Sequence, residues 1–183
     1  MSYRALFVFV EGNDDRRFFD VVCAPMIRSD VSVEIYEWAS SPTHRTAKLL
    51  AALPHIAAKP ENEVGFLFLA DANGCACPSA RKERLRERFP NLPEDHIIVV
   101  MRMIEGWYLA GLDAGACETL GCAELRETDT VDKSGFEAAF REPVTIDLKE
   151  RVLAHFNAHV ACQKNASFAY LLRRMTASPL VGP

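Results

Sequence analysis

The chain has 183 residues, 49% of them hydrophobic and 25% charged, a length and composition that suit one globular domain with its own core, and it carries no internal repeat or low-complexity segment. Its net charge of −4 excludes a broad basic surface, so any nucleic-acid contact has to be local or bridged by a metal ion. No run is apolar and long enough to span a bilayer, the longest being Ala5 to Val10, and the N-terminus lacks the features of a secretory signal; a cytoplasmic protein with no membrane partner is expected.

Tyr3 to Val10 is β-branched and aromatic and ends at Glu11-Gly12, the pattern of a central strand buried on both faces. Asp14 or Asp15 then opens a helix to about Ile27, with Phe18, Phe19, Val22 and Met26 as its apolar stripe. Val31 to Trp38 alternates as a second strand. Ser40-Ser41-Pro42-Thr43 forms a turn and N-cap cluster, and His44 to about Ala57 is helical. Pro60-Glu61-Asn62 is a loop. Val64 to Ala70 is a third strand that stops at Asp71-Ala72-Asn73-Gly74. Pro78 begins a helix through Arg81 to Phe89, and His96 to Met101 is a fourth strand. Beyond Ile104 the pattern is helical: Glu105 to Leu112, Ala116 to Leu120, Lys133 to Phe140, Leu148 to His159 and Ser167 to Met175. The tail from Ser178 to Pro183 reads as loose.

Four strand–helix alternations predict an α/β fold, with a four-stranded parallel sheet and helices on both faces over residues 1–103. Residues 104–183 form a helical C-terminal cap, packed with the core as a single compact domain.

In such sheets ligands bind beyond the carboxyl ends of the strands. Val10 leads into Glu11, Ala70 leads into Asp71, and the fourth strand is followed closely by Glu105. Clustered carboxylates repel one another unless a cation or proton compensates, and oxygen-only donors select Mg²⁺ or Mn²⁺ over Zn²⁺. Any one of these acids alone reads better as a helix cap than as a ligand, Asp14 or Asp15 most directly; the set of strand ends points to a metal ion.

Val8-Phe9-Val10-Glu11-Gly12-Asn13-Asp14-Asp15 resembles the first motif of TOPRIM domains: an apolar strand, then Glu-Gly, then Asp three residues after the glycine. Phe66-Leu67-Phe68-Leu69-Ala70-Asp71-Ala72-Asn73-Gly74 resembles the second, an apolar strand ending in Asp-x-Asp. The resemblance covers about residues 3–102. Ile104-Glu105-Gly106-Trp107-Tyr108-Leu109-Ala110 and Lys164-Asn165-Ala166-Ser167-Phe168 are further similar to small stand-alone, OLD-related bacterial TOPRIM proteins. The resemblance implies Glu11 as general acid/base or metal ligand, Gly12 as a close backbone turn beneath a substrate phosphate, and Asp71 as a metal ligand. Asn73 stands where the family usually has its second Asp, and supplies a carbonyl oxygen without charge. The ion would then be held by Glu11 and Asp71 with Asp15 or Glu105. The implied activity is Mg²⁺ (or Mn²⁺)-dependent hydrolysis of DNA or RNA phosphodiesters, with Lys164, and after it Lys133, as the cation that steadies developing charge. The alternative is a catalytically degenerate TOPRIM module that binds nucleic acid or a partner protein.

Arg81, Lys82, Arg84, Arg86 and Arg88 make the helix after Asp71 basic, with Arg81, Arg84 and Arg88 on one face. Interleaved Glu83 and Glu87 favour a solvated face with local ion pairs; phosphate contact is the functional reading. His155, His159 and Cys162 have the spacing of one helix face and could ligate zinc, although packing is the commoner use. Trp107 and Tyr108 begin an apolar helix, which favours core over base stacking. Of the six cysteines, Cys23 reads as core, Cys75-Ala76-Cys77 is too close for a zinc knuckle, and Cys117, Cys122 and Cys162 complete a set expected to stay reduced. No Walker lysine, dinucleotide fingerprint or Gly-x-Ser-x-Gly elbow is present.

Overall fold

The structure is a computed structural model that describes residues 3–39, 43–59, 62–178 and 180. The fold is α/β, with a four-stranded parallel sheet in the order β2-β1-β3-β4 and helices on both of its faces. The strands are β1 (Tyr3–Val10), β2 (Ser32–Glu37), β3 (Asn62–Asp71) and β4 (Ile97–Val100). β1 is the central strand that its sequence predicts: Ala5, Val8, Phe9 and Val10 are fully buried, and it pairs in parallel with both β2 and β3.

The helices between the strands are α1 (Asn13–Phe18), α2 (Thr43–Ala57) and α3 (Pro78–Arg88). α1 runs on through a π turn at Phe19–Cys23 and a tight turn at Ala24–Met26, so the helix expected to reach Ile27 is helical throughout but not α throughout. Right-handed crossovers in this strand order put α1 on one face of the sheet and α2 and α3 on the other. The winding direction therefore reverses between β1 and β3, the topological switch point where such sheets take ligands.

Two compact units divide the chain: Met1–Ala70 with Cys75–Val99 and Arg173–Pro183, and Asp71–Gly74 with Val100–Leu172. In the first, Trp38 stacks on Phe68 with ring centroids 5.1 Å apart and donates its indole N–H to the Leu69 carbonyl at 2.9 Å. Leu180 is buried there, its methyl so close to Gly65 that a Cβ on that glycine would sit 2.9 Å away. The expected loose tail is thus anchored at this residue. Its neighbours 179 and 181–183, like the predicted turn at 40–42 and the loop residues 60 and 61, lie outside the described residues.

The second unit carries α4 (Glu105–Ala110), α5 (Ala114–Leu120), α6 (Lys133–Ala139), α7 (Ile146–Ala154), α8 (Ala158–Lys164) and the start of α9 (Ala166–Thr176). Every residue of α4 is buried, the acidic Glu105 included. Trp107 and Tyr108 are fully buried, meeting Phe168 and Phe136 edge to face at 5.5 and 6.0 Å. They are core residues, not a stacking platform. The expected helix from Leu148 to His159 is two helices. Asn157 caps α8 by accepting from the His159 and Val160 N–H groups at 3.0 and 3.2 Å, which breaks the chain after His155. His155 therefore does not share a helix face with His159 and Cys162. Among the described residues no helix is long and apolar enough to cross a membrane.

Candidate functional site

The chain leaves β1 through Glu11 and Gly12. Gly12 is the N-cap of α1, with extended backbone (φ −155°). It has no side chain to cap with, and Asp15 reaches back instead: its Oδ2 accepts from the Gly12 N–H at 3.2 Å. Asp15 is thus the third residue of the helix and not its N-cap, and it is only 5% exposed. Asp14 pairs with Arg17 at 2.7 Å. A Cβ added to Gly12 would meet nothing nearer than Asp15 Oδ2 at 4.0 Å, so neither conformation nor crowding demands glycine here. What glycine leaves is open space over the backbone at the strand end. Glu11 lies 3.6 Å from Arg81 Nη2.

α3 begins where expected, with Pro78 as its first residue. Arg81 faces Glu11, Arg86 faces Glu94 at 3.6 Å, and Arg88 lies over the Trp38 and Phe89 rings at 5.3 and 5.1 Å. Arg84 is exposed.

In the second unit, Asp71 is buried at 7% exposure, and the next residue, Ala72, donates its N–H to the Val100 carbonyl at 2.9 Å. Asn73 and Gly74 then take φ values of 46° and 72°. Arg102 has φ 58°, and Asn73 and Arg102 are the non-glycine residues at positive φ among the described residues. Both line one cavity of about 240 Å³, together with Gly74, Met103 and Asp132. Left-handed backbone costs a non-glycine residue about 1 kcal/mol or more and concentrates at functional sites. Arg102 Nη2 lies 3.4 Å from Asp132 Oδ2, and Asp132 caps α6 by accepting from the Gly135 N–H at 3.0 Å. The Ser134 hydroxyl first, then the Gly135 N–H, holds the Asp132 carboxyl below the ordinary carboxylate range.

Glu105 opens α4 and is 5% exposed. Its Oε1 lies 4.0 Å from Lys149 Nζ on α7, and its Oε2 is buried with no hydrogen-bond partner among the described residues. Lys149 Nζ also sits 5.9 Å from the Phe136 ring centre. Lys149 is not among the cations expected from the sequence, although it neighbours Leu148 and stands three and four residues before Val152 and Leu153, all three of them buried. A lysine on the apolar face of a helix was the available signal. Lys164, the cation expected from the sequence, donates to the Leu112 carbonyl at 2.7 Å and to Glu124 at 2.9 Å. Lys133 is exposed at the start of α6.

Asn165, Ser167 and Phe168 are buried, and the two polar side chains form a hydrogen-bonded hub. Asn165 donates to Thr128 Oγ1 at 3.1 Å and accepts from the Phe168 N–H at 3.0 Å, which caps α9. Ser167 donates to Asn165 Oδ1 at 2.8 Å and accepts from the Trp107 indole N–H at 2.8 Å and the Met101 N–H at 3.2 Å. Each polar atom of this hub has a partner, which a buried network requires.

The chemistry and burial of the expected donors suit a hard divalent ion: they are oxygen donors, and Asp15, Asp71 and Glu105 are the buried acids of the described residues. No group of three or more His, Cys, Asp or Glu side chains is assembled to hold a metal among the described residues. No family model, curated protein or solved structure matches the chain.

Proposed function

We propose that this chain is a TOPRIM-like, Mg²⁺ (or Mn²⁺)-dependent nuclease or related phosphotransfer enzyme acting on DNA or RNA phosphodiesters. The observation that carries this reading is burial. Asp15, Asp71 and Glu105, three of the acids expected from the sequence as ligands, are the acids withdrawn from water. A buried carboxylate costs several kcal/mol unless something compensates it, and a bound cation would add to the compensation that the Gly12 N–H gives Asp15 and Lys149 gives Glu105. The parallel topology adds support, because Glu11 follows β1 and Asp71 closes β3, the two strands that flank the switch point.

In this reading Glu11 and Asp71, with Asp15 or Glu105, would be the ion's ligands, as the resemblance implies. The ion's contribution, when bound, is Lewis-acid activation of the phosphodiester. Glu11, the least enclosed of the acids, exchanges a proton with the substrate oxygen or water, and the open space over Gly12 admits a phosphate close to the backbone. Arg81, Arg84 and Arg88 on α3 supply cationic contacts to the polymer.

The test is titration calorimetry of chelator-stripped protein with Mg²⁺ and Mn²⁺ beside Asp71→Asn, followed by a cleavage assay with Glu11→Gln and Asp71→Asn. Binding lost in Asp71→Asn, and cleavage lost in both variants with folding intact, supports the enzyme. Cleavage equal to wild type in both variants overturns the roles of these acids.

A second reading, a non-catalytic TOPRIM-like module that binds nucleic acid or a partner protein, is favoured by the ion pairs already made by Glu11 with Arg81 and Glu105 with Lys149. It predicts association that survives chelation, whereas the enzyme loses its activity there.

A further inference from the structure

The end of α5 brings two cysteines together through backbone geometry. Gly121 is left-handed (φ 68°), the Cys122 N–H donates to the Cys117 carbonyl at 3.0 Å, and the Gly121 N–H donates to the Glu118 carbonyl at 3.3 Å. These are the two bonds of a Schellman motif, in which the side chains at the first and last of the six positions meet, usually as an apolar contact. Here both positions are cysteine. A direct N–H···O=C bond between two residues keeps their Cα atoms within about 7 Å, the reach of a disulfide. Both thiols are free. An antiparallel bridge from Cys122 to Phe140 fixes the far side of the turn. Cys117 is buried and Cys122 is half-exposed, so the two differ in what can reach them.

We propose that Cys117 and Cys122 are a thiol–disulfide exchange site whose co-reactant is the disulfide of a small thiol. Cys122, the thiol that solvent reaches, loses its proton and attacks one sulfur of the small disulfide. A mixed disulfide forms and one small thiolate leaves. Cys117 then loses its proton and attacks Cys122 Sγ, expelling the second small thiolate and forming the Cys117–Cys122 bond. Two protein thiols are oxidised and one small disulfide is reduced to two small thiols, with no other reactant. Burial, and then the contact with Cys122, pushes the Cys117 thiol up to about 12, while Lys164 nearby acts in the opposite direction. Cys117 is therefore suited to the resolving step and not to first attack.

The test uses the full chain in a glutathione redox buffer at mildly alkaline pH, quenched with an alkylating agent and digested with trypsin. Cleavage after Arg102 and Arg126 leaves both cysteines on one peptide that holds no third cysteine. The expected result is that peptide two hydrogens lighter, closed to alkylation and restored by dithiothreitol. Cys117→Ser should stall as a glutathione adduct on Cys122. Where that variant does not fold, Cys122→Ser serves, and should leave Cys117 without an adduct. Overturning results are a wild-type peptide that stays fully alkylated while Cys75 and Cys77 react, or one that stops at the Cys122 adduct.

Discussion

Glu105 Oε1 lies 4.0 Å from Lys149 Nζ, and only 7% and 12% of the two side chains reach solvent. Each member of such a pair justifies the burial of the other, and removing one leaves an uncompensated charge that typically costs about 3–5 kcal/mol. Lys149→Met should therefore destabilise the protein by about that amount in urea unfolding. Glu105→Gln combined with Lys149→Met should recover a large part of the loss, because the isolated charge is gone. Additive losses in the double variant would show that the two residues are not energetically coupled.

Gly111 is the most closely packed glycine of the second unit among the described residues. A Cβ there would fall 2.2 Å from the Phe156 ring, and the adjoining backbone is tied down by the Asn157 N–H donating to the Gly111 carbonyl at 2.9 Å. Gly111→Ala should cost about 1–3 kcal/mol through overpacking. Thermal unfolding of the double variant Gly111→Ala/Phe156→Leu separates the causes. Relief in the double variant locates the strain at the ring, and its absence locates it in the backbone.

The Asp132 carboxyl is held below its usual value by Ser134 and Gly135. A carboxylate whose folded pKa is depressed stabilises the fold fully above its unfolded value, about 3.9, and loses that contribution as pH falls through the folded value. Melting temperature should consequently fall on acidification through this window, and Ser134→Ala, which removes the larger cause, should make the fall shallower. Equal slopes in wild type and variant would remove Asp132 from the acid response.

The strands and the first three helices were legible because continuous apolar runs in β1, β3 and β4, alternation in β2 and turn residues between them dominate the first hundred positions. The break at Asn157 was missed because apolar spacing continues across it; a side chain that bonds its own helix start outcompetes periodicity. Asn73 carried a turn signal in Asn-Gly, whereas nothing local announced the left-handed Arg102. Among the candidate site residues, Glu11 and Asp71 could be read from the strand ends. Their cationic partners could not, since Arg81 and Lys149 reach Glu11 and Glu105 through tertiary packing.

Arg81 is the partner whose removal speaks most directly to function. It sits 3.6 Å from Glu11, with 13% and 24% of the two side chains exposed, so a metal ion that uses Glu11 has to compete with the guanidinium. A partly exposed pair of this kind is worth about 0.2–1 kcal/mol, equivalent to about a 1.4- to 5-fold change in affinity. Arg81→Gln should tighten Mg²⁺ binding by that factor in calorimetry, while weakening association with a nucleic-acid strand if α3 also contacts phosphate. Tighter metal binding with unchanged strand binding would assign Arg81 to holding Glu11 alone. Unchanged metal affinity would remove Glu11 from the ligand set and favour the non-catalytic module.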